Sequence, residues 1–173
     1  MVFVDECGTH TSMTRLRARA PKGVRVHGRV PRNRGKNTTL IASMTHEGMG
    51  PCLAVVGSTT KALFEAYVER VLAPTLSPGR VVVMDNLGAH RGERVRELVE
   101  ARGCSLLFLP PYSPDFSPVE EAFSKLKALL RRASARSRAA LLKAIGRALW
   151  AITTEDAEGF FGHCGYPLGA QPS

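Results

Sequence analysis

A continuous run of β-branched residues, RVVVMD at 80–85, most constrains what this chain can fold into. A run of this length without polar alternation is typical of a strand that is buried on both faces of a sheet. Along the 173 residues, apolar and amphipathic segments follow one another in the order β-β-β-α-β-α-β-α-α. This order predicts an α/β fold: a mixed sheet that starts antiparallel, continues with alternating strands and helices, and carries helices on both faces.

The individual segments follow from periodicity and from residues that end helices and strands. Strands are predicted at MVFVDE (1–6), NTTLIASMT (37–45), GPCLAVVGS (50–58), RVVVMD (80–85) and CSLLFLP (104–110). Helices are predicted at 60–76 (ending at Pro74), 91–103, 117–132 and 137–156, the last with Trp150 on its apolar side. VRVHGRV (24–30) alternates valines with basic residues, which predicts one apolar and one basic face. We therefore expect one domain over 1–156 and a flexible tail over 157–173.

Charge is distributed unevenly along the chain. Lys and Arg number 24 against 15 Asp and Glu, which gives a formal net charge of +9. Two stretches, Cys7 to His46 and Ala122 to Thr154, contain no acidic residue and together hold most of the cations. Two segregated basic faces suit a phosphate backbone, so nucleic acid is the predicted partner. A basic surface that is merely solvated stays open as an alternative.

Composition also disfavours several classes of protein. The four cysteines, Cys7, Cys52, Cys104 and Cys164, form no C-x-x-C pair, which disfavours a zinc site and a disulfide framework and fits a reduced cytoplasmic setting. No apolar run approaches the roughly 18 residues that a membrane span needs, so no membrane partner is expected. No signal peptide is expected from the first residues. Because the chain opens almost directly on a strand, we expect a further segment normally to precede it.

Three acidic residues fall where predicted strands end or a helix begins. Asp5 ends the first strand, Asp85 ends RVVVMD, and Glu120 opens the helix that follows CSLLFLP. Sites form at the carboxyl ends of parallel strands, so these carboxylates would converge if their strands are neighbours. Clustered carboxylates need a neutralising cation, and oxygen-only ligands suit Mg²⁺ or Mn²⁺. Two such ions can clamp the attacking and leaving oxygens of a phosphodiester displacement.

Each acid also has a structural interpretation. Glu120 closes an S-x-x-E pattern, the signature of a capping box, so its role could be to cap a helix. Asp85 could form a turn, as aspartates after strands commonly do. Glu6 is expected to be a surface acid that points to the opposite face of the first strand from Asp5. His90 could lean over a phosphate or a water, or it could simply start a helix.

Three motifs together resemble the DDE transposases of the mariner superfamily, specifically their bacterial insertion-sequence branch. They are VDE at 4–6, MDNLGAH at 84–90 and LPPYSPDFSPVEEAFSKLK at 109–127, with 34 residues between Asp85 and Glu120. The resemblance runs from Val2 to about the last helix. It implies a ribonuclease-H-like fold and cut-and-paste movement of DNA, with insertion at TA dinucleotides. It identifies Asp5, Asp85 and Glu120, rather than Glu121, as the catalytic and metal-binding residues.

The resemblance implies cofactors and partners as well. The cofactor would be Mg²⁺, with Mn²⁺ as a substitute, bound as two ions. The substrates would be double-stranded DNA, at the element ends and the target, with a homo-oligomer assembled on them in the bacterial cytoplasm at the nucleoid. Such transposases carry N-terminal helix-turn-helix domains, and because this chain matches the catalytic half, we expect that region to be absent from it. Candidate phosphate contacts are Arg32, Arg34, Lys36, Lys125, Lys127, Arg131 and Arg132.

Two other functions stay open. A structure-selective nuclease or ribonuclease of the same fold would cleave without joining strands. A basic DNA-binding or assembly module, left from a degraded element, would bind DNA in a salt-dependent way that Mg²⁺, Mn²⁺ and Asp85→Asn leave unchanged. Covalent serine catalysis is not supported, because Ser113 and Ser117 have no recognisable pairing with His and Asp.

Overall fold

The computed structural model describes residues 1–32, 35–88, 90–111 and 113–166. Within these residues five strands form one sheet: β1 Val2–Thr9, β2 Thr38–Thr45, β3 Gly48–Val56, β4 Val81–Met84 and β5 Ser105–Phe108. Their order across the sheet is β3-β2-β1-β4-β5. β1, β2 and β3 pair antiparallel, whereas β4 and β5 extend the sheet from β1 by parallel pairing. The predicted mixed sheet with an antiparallel start is confirmed.

Helices cover both faces of this sheet, as predicted. The described residues contain five α-helices: α1 Lys61–Tyr67, α2 Glu93–Glu100, α3 Pro118–Ala133, α4 Arg138–Trp150 and α5 Thr154–His163. A π-helical segment (Val68–Leu72) and a 3₁₀ turn (Ala73–Thr75) continue α1. α1 and α2 pack on one face of the sheet, and α3, α4 and α5 pack on the other. None of the helices in the described part of the chain is long and apolar enough to span a membrane.

The first strand is longer than predicted, and this changes the position of Asp5. Parallel pairing with β4 stops at Val4 opposite Met84, but antiparallel pairing with β2 continues to Thr9. Asp5 therefore lies within β1, at the first residue beyond the parallel ladder, and not at the end of the strand. Alternation along the strand places Asp5 on the same face as Phe3, which packs towards α3.

The C-terminal part differs from the prediction of one helix over 137–156. The structure has two helices, because Thr153 begins α5 with a capping box: its hydroxyl accepts the Asp156 N–H at 3.2 Å, and its own N–H donates to Asp156 Oδ2 at 2.8 Å. Residues 157–163, predicted as part of a flexible tail, belong to α5, whose Phe161 is buried in the core. Residues 164–166 of the predicted tail follow α5, with Cys164 buried and Tyr166 packed against the core. The tail from 167 onward lies outside the described residues.

One prediction of burial is wrong, and one predicted apolar face is not buried. Trp150, expected on the apolar side of its helix, is 90% exposed. Val24, Val26 and Val30 are also exposed, and residues 24–30 have no regular secondary structure, since no strand pairs with them. They belong to a segment, residues 14–32, that we call the basic arm. Arg136 tethers the chain just before this arm: its Nη1 donates to the main-chain carbonyls of residues 11 and 13, each at 2.9 Å.

Candidate active site

The three predicted acids line one cavity. Asp5, Asp85 and Glu120 all border a cavity of about 420 Å³ at the edge of the sheet where β1 and β4 stop pairing. The remaining wall combines apolar residues, among them Leu109 and the proline pair 110–111, with the polar side chains of Asn86, Arg91, Ser113 and Ser117. The structure therefore brings together all three residues that the sequence motifs identified.

Strand register and helix packing explain this convergence. Val4 lies opposite Met84 in the parallel pair of β1 and β4. Asp5 and Asp85 directly follow these two residues, so they lie side by side. Glu120 reaches the same place because α3 packs on the sheet through a row of buried residues directly after it. These residues are Ala122, Phe123, Leu126 and Leu130.

Asp5 is the most buried of the three acids. Its residue surface is 7% exposed, and its Oδ1 accepts the Glu6 main-chain N–H at 2.7 Å. Burial raises the pKa of Asp5 to about 7 despite the lowering effect of that hydrogen bond, and the charges of Glu120 and Asp85 add to the rise. A buried carboxyl next to two others is in an environment that favours either a proton or a cation.

Asp85 is held by a buried histidine. His90 contacts Asp85 Oδ1 through Nδ1 and lies 3.3 Å from Glu6 Oε2 through Nε2. The ring is fully buried and stacks on Phe64, with centroids 4.1 Å apart. Burial lowers the pKa of His90, but the contacts with Asp85 and Glu6 outweigh it and raise the pKa to about 9. The imidazolium therefore links Asp85 to Glu6. Glu6 lies on the opposite face of β1 from Asp5, as expected, but its side chain is only 15% exposed, so it is not the surface acid that the sequence predicted.

The turn interpretation of Asp85 also holds, and it does not compete with a place in the cavity. Asp85 Oδ1 accepts the Leu87 N–H at 3.2 Å, so the residue does close a turn after β4. Both contacts of Asp85 use Oδ1, which leaves Oδ2 without a partner among the described residues. The predictions for His90 were wrong, because it neither faces the cavity as a surface group nor begins α2, whose N-cap is Gly92.

The capping-box prediction for Glu120 is wrong. Ser117 is the N-cap of α3, but its side chain makes no capping hydrogen bond, and Glu120 makes none back to it. The next residue, Glu121, contacts Nδ1 of His163 at the end of α5. Glu120 is exposed and lines the cavity, so it is the glutamate of this pair that is available to a ligand.

The chemistry of the three acids fits a hard divalent cation. They offer carboxylate oxygens only, the ligand type that Mg²⁺ and Mn²⁺ prefer, and Asp5 needs compensation for its buried charge. In the described parts of the chain, however, no three His, Cys, Asp or Glu side chains are close enough together to hold one ion. The structure thus places the three carboxylates around one cavity, while Asp85 contacts His90 through Oδ1.

The candidate phosphate contacts do not all lie together. Arg131 and Arg132, on the last turn of α3, border one depression with Arg15 and Arg17 of the basic arm, so the two basic stretches meet. Lys125 lies apart from them, because it is paired with Asp156 where α3 meets α5.

Three of the remaining candidates are described by the structure. Lys127 lies near Cys7: burial raises the pKa of that thiol to about 11, and Lys127 lowers it in part. Arg32 and Lys36 are exposed. Arg34 lies outside the described residues.

One cation of the cavity was not predicted. Arg91 borders the same cavity as the three acids, and its Nε donates to Asn86 Oδ1. It directly follows the MDNLGAH motif, so its proximity in sequence to Asp85 could have indicated it. Sequence reasoning also missed the link from His90 to Glu6, because residues 84 apart give no local signal of contact.

The five-stranded sheet, its helices and the acids at its parallel edge define a ribonuclease-H-like domain. The pre-cleavage Mos1 transpososome has this fold, with a TM-score of 0.72 and 21% identity over 95% of this chain and 53% of that one. The catalytic domain of Mos1 mariner transposase matches with a TM-score of 0.62 and 18% identity, over 95% of this chain and 77% of that one. The chain thus spans about half the length of the transposase in the assembled Mos1 complexes.

A comparison with protein-family models assigns the chain to a family as well as a fold. The model described as DDE superfamily endonuclease matches residues 1–142. The chain therefore belongs to the DDE superfamily endonuclease family. No curated protein sequence matches it.

Proposed function

We propose that this chain is the catalytic domain of a transposase of the mariner superfamily, from its bacterial insertion-sequence branch. It would cleave DNA strands at the ends of an element and join the freed 3′ ends to target DNA at TA dinucleotides. One observation carries the proposal: Asp5, Asp85 and Glu120 line one cavity in a chain that belongs to an endonuclease family. Structures of Mos1 paired-end complexes with Mn and with Mg share the fold.

Asp5, Asp85 and Glu120 would hold the divalent cations, Mg²⁺ or Mn²⁺, in a pair. When bound, such ions lower the pKa of an attacking water or 3′-hydroxyl and stabilise charge that develops on the phosphate. His90 fixes Asp85 through Oδ1 and keeps Oδ2 free, and the Glu6 N–H does the same for Asp5. The protein supplies position and charge and contributes no covalent nucleophile.

Double-stranded DNA would lie across the cavity at the start of α3 and reach the basic surface at the end of the same helix. Arg131 and Arg132 of α3 border one depression with Arg15 and Arg17, so four cations form a single patch for phosphate oxygens. Arg136 holds the main chain at residues 11 and 13, directly before the arm that carries half of this patch. Recognition of element ends would use a helix-turn-helix region, and the assembly on DNA would be a homo-oligomer in the bacterial cytoplasm.

The test is a cleavage and joining assay on labelled DNA that carries the element ends. With Mg²⁺ or Mn²⁺ the wild type should nick the DNA and join it to a target, and Asp85→Asn should do neither while it still binds DNA. The exposed acid Glu158 offers a matched control, since Glu158→Gln should keep full activity. Cleavage by Asp85→Asn at the wild-type rate would refute the proposal.

The name of the family itself supports a second candidate, a nuclease that cleaves without joining strands. The same assay separates the two functions, because a nuclease yields nicked DNA and no joined product. If the wild type neither cuts nor joins DNA, and its DNA binding ignores both metal ions and Asp85→Asn, the chain is a binding module.

A further inference from the structure

We infer that Arg91 binds a phosphate group of the substrate strand beside the carboxylate cavity, and that Asn86 positions its guanidinium for this contact. The inference rests on the proposed function, which supplies a DNA strand as the ligand. Arg91 is the one basic residue among the described residues that line the cavity of Asp5, Asp85 and Glu120. A phosphodiester that approaches these acids needs a cation from the protein, and Arg91 is placed to supply it.

Arg91 differs from the arginines of α2 in having no carboxylate partner among the described residues. On α2, Arg94 pairs with Glu69 at 2.8 Å and with Glu97 at 3.5 Å, and Arg96 pairs with Glu100 at 3.3 Å. No carboxylate of the described residues lies within ion-pair distance of Arg91. Arg94 and Arg96 thus have carboxylate partners within the protein, whereas Arg91 has none among the described residues and its charge is left for a ligand.

The contact with Asn86 leaves the useful part of the guanidinium free. Arg91 donates its Nε–H to Asn86 Oδ1, and the amide is neutral, so it orients the side chain without cancelling its charge. Among the described residues, neither terminal nitrogen of Arg91 has a hydrogen-bond partner. Their four N–H donors form the planar fork that suits two phosphate oxygens. Asn86 is therefore a positioning residue, and Arg91 makes the contact.

A second cavity explains which phosphate Arg91 would hold. A cavity of about 520 Å³ adjoins the first, and both are bordered by Asn86, Arg91, Leu109 and the proline pair 110–111. Arg91 stands at their boundary. A strand with its reacting phosphate at the acids would continue into the second cavity, with its next phosphate at Arg91.

The experiment measures DNA affinity without metal. Binding of a labelled DNA duplex in EDTA is followed over a series of KCl concentrations for the wild type and for R91A, R91K, N86A and R94A. R91A should lower the slope of log affinity against log salt by about 1, and weaken binding about tenfold. R91K should keep the slope with part of the affinity, and N86A should keep the slope with a smaller loss. R94A, whose charge is already paired, should match the wild type.

A second readout separates this role from a structural one. R91A should raise the KM for DNA in the cleavage assay and leave the heat of Mn²⁺ binding unchanged, because Arg91 contacts the strand and not the ions. The inference is overturned if R91A keeps the wild-type slope, or if R94A loses as much slope as R91A. If R91A fails to fold, R91K and N86A replace it, and wild-type affinity in both would overturn the inference. Cleavage by Asp85→Asn at the wild-type rate would refute the proposed function, whereas the salt dependence of R91A would still test the phosphate contact of Arg91 on its own.

Discussion

Acidic side chains differ in their partners between the two regions that α3 contacts, its interface with α5 and the carboxylate cavity. Where α3 packs against α5, acids have basic partners: Glu121 contacts His163, and Asp156 contacts Lys125. Where α3 begins at the cavity, Glu120 and the buried Asp5 have no basic partner within ion-pair distance among the described residues. A paired acid adds to the stability of the fold, whereas a buried acid without a partner costs stability and indicates a function.

The largest expected effect comes from Asp5→Asn, which should separate stability from activity. Metal-dependent cleavage should fall about a thousandfold, since a ligand of the ions is lost. The free energy of unfolding without metal should rise by about 1 to 2 kcal/mol, because a neutral amide removes a buried charge close to Glu120 and Asp85. Thermal unfolding in EDTA and the cleavage assay measure the two quantities.

Glu158→Gln, which changes an exposed acid of α5, is the control for both measurements. If Asp5→Asn lowered stability and kept activity, Asp5 would be a structural residue, and the contrast between the cavity and the interface of α3 with α5 would be contradicted.

An effect of intermediate size is expected from Asp156→Ala, on the paired side. It removes half of the capping box of α5 together with the partner of Lys125, which should cost about 1 to 2 kcal/mol in the free energy of unfolding. Cleavage at a temperature where the variant is folded should be unchanged. Denaturant unfolding at several pH values provides the measurement.

The pH dependence of this effect has a definite sign. The Lys125 contact, with the hydrogen bond from Thr153, holds the pKa of Asp156 below its ordinary value. The stabilisation is therefore complete above the ordinary value for an aspartate, and is lost as pH falls through the lowered pKa. Wild type and Asp156→Ala should converge in acid, and a gap that widened there would contradict the assignment.

The smallest effect is expected from Glu121→Gln. Contact with Glu121 raises the pKa of His163, so its stabilisation is present below the ordinary value for histidine and is lost as pH rises through the raised pKa. His163 is exposed, so solvent screens the pair and the unfolding midpoint should hardly move. The NMR titration of His163 should return to the ordinary range in the variant. An unchanged titration would show that the pair does not form in solution.

Sequence patterns predicted the architecture, and they predicted that the three acids come together, because strand ends and motifs can be recognised in short segments. RVVVMD indicated a strand buried in a parallel sheet, and the adjacent Asp85 had to emerge at its end. The motifs around Asp85 and Glu120, and the 34 residues between these two acids, indicated Glu120 as the third acid. Even the break between α4 and α5 was visible in principle, since Thr153 and Asp156 have the spacing of a capping box that the long apolar period of the helix concealed.

What could not be predicted depends on contacts distant in sequence. The S-x-x-E pattern at the start of α3 indicated a capping box, but the local pattern cannot tell whether the side chains turn to each other or to a cavity. Asp5 lies within its strand because β2 pairs beyond the point where β4 stops. Val24, Val26 and Val30 alternate as in a strand, yet they lie exposed because no partner strand reaches them.

The central claim is that Glu120, rather than Glu121, completes a metal site with Asp5 and Asp85. Calorimetric titration with Mn²⁺ tests it most directly on four proteins: the wild type, Asp85→Asn, Glu120→Gln and Glu121→Gln. The two glutamate variants are matched controls, because they make the same chemical change on adjacent residues of one helix. We predict that Asp85→Asn and Glu120→Gln abolish the heat of binding while Glu121→Gln retains it. Equal heats for all four proteins would contradict the account.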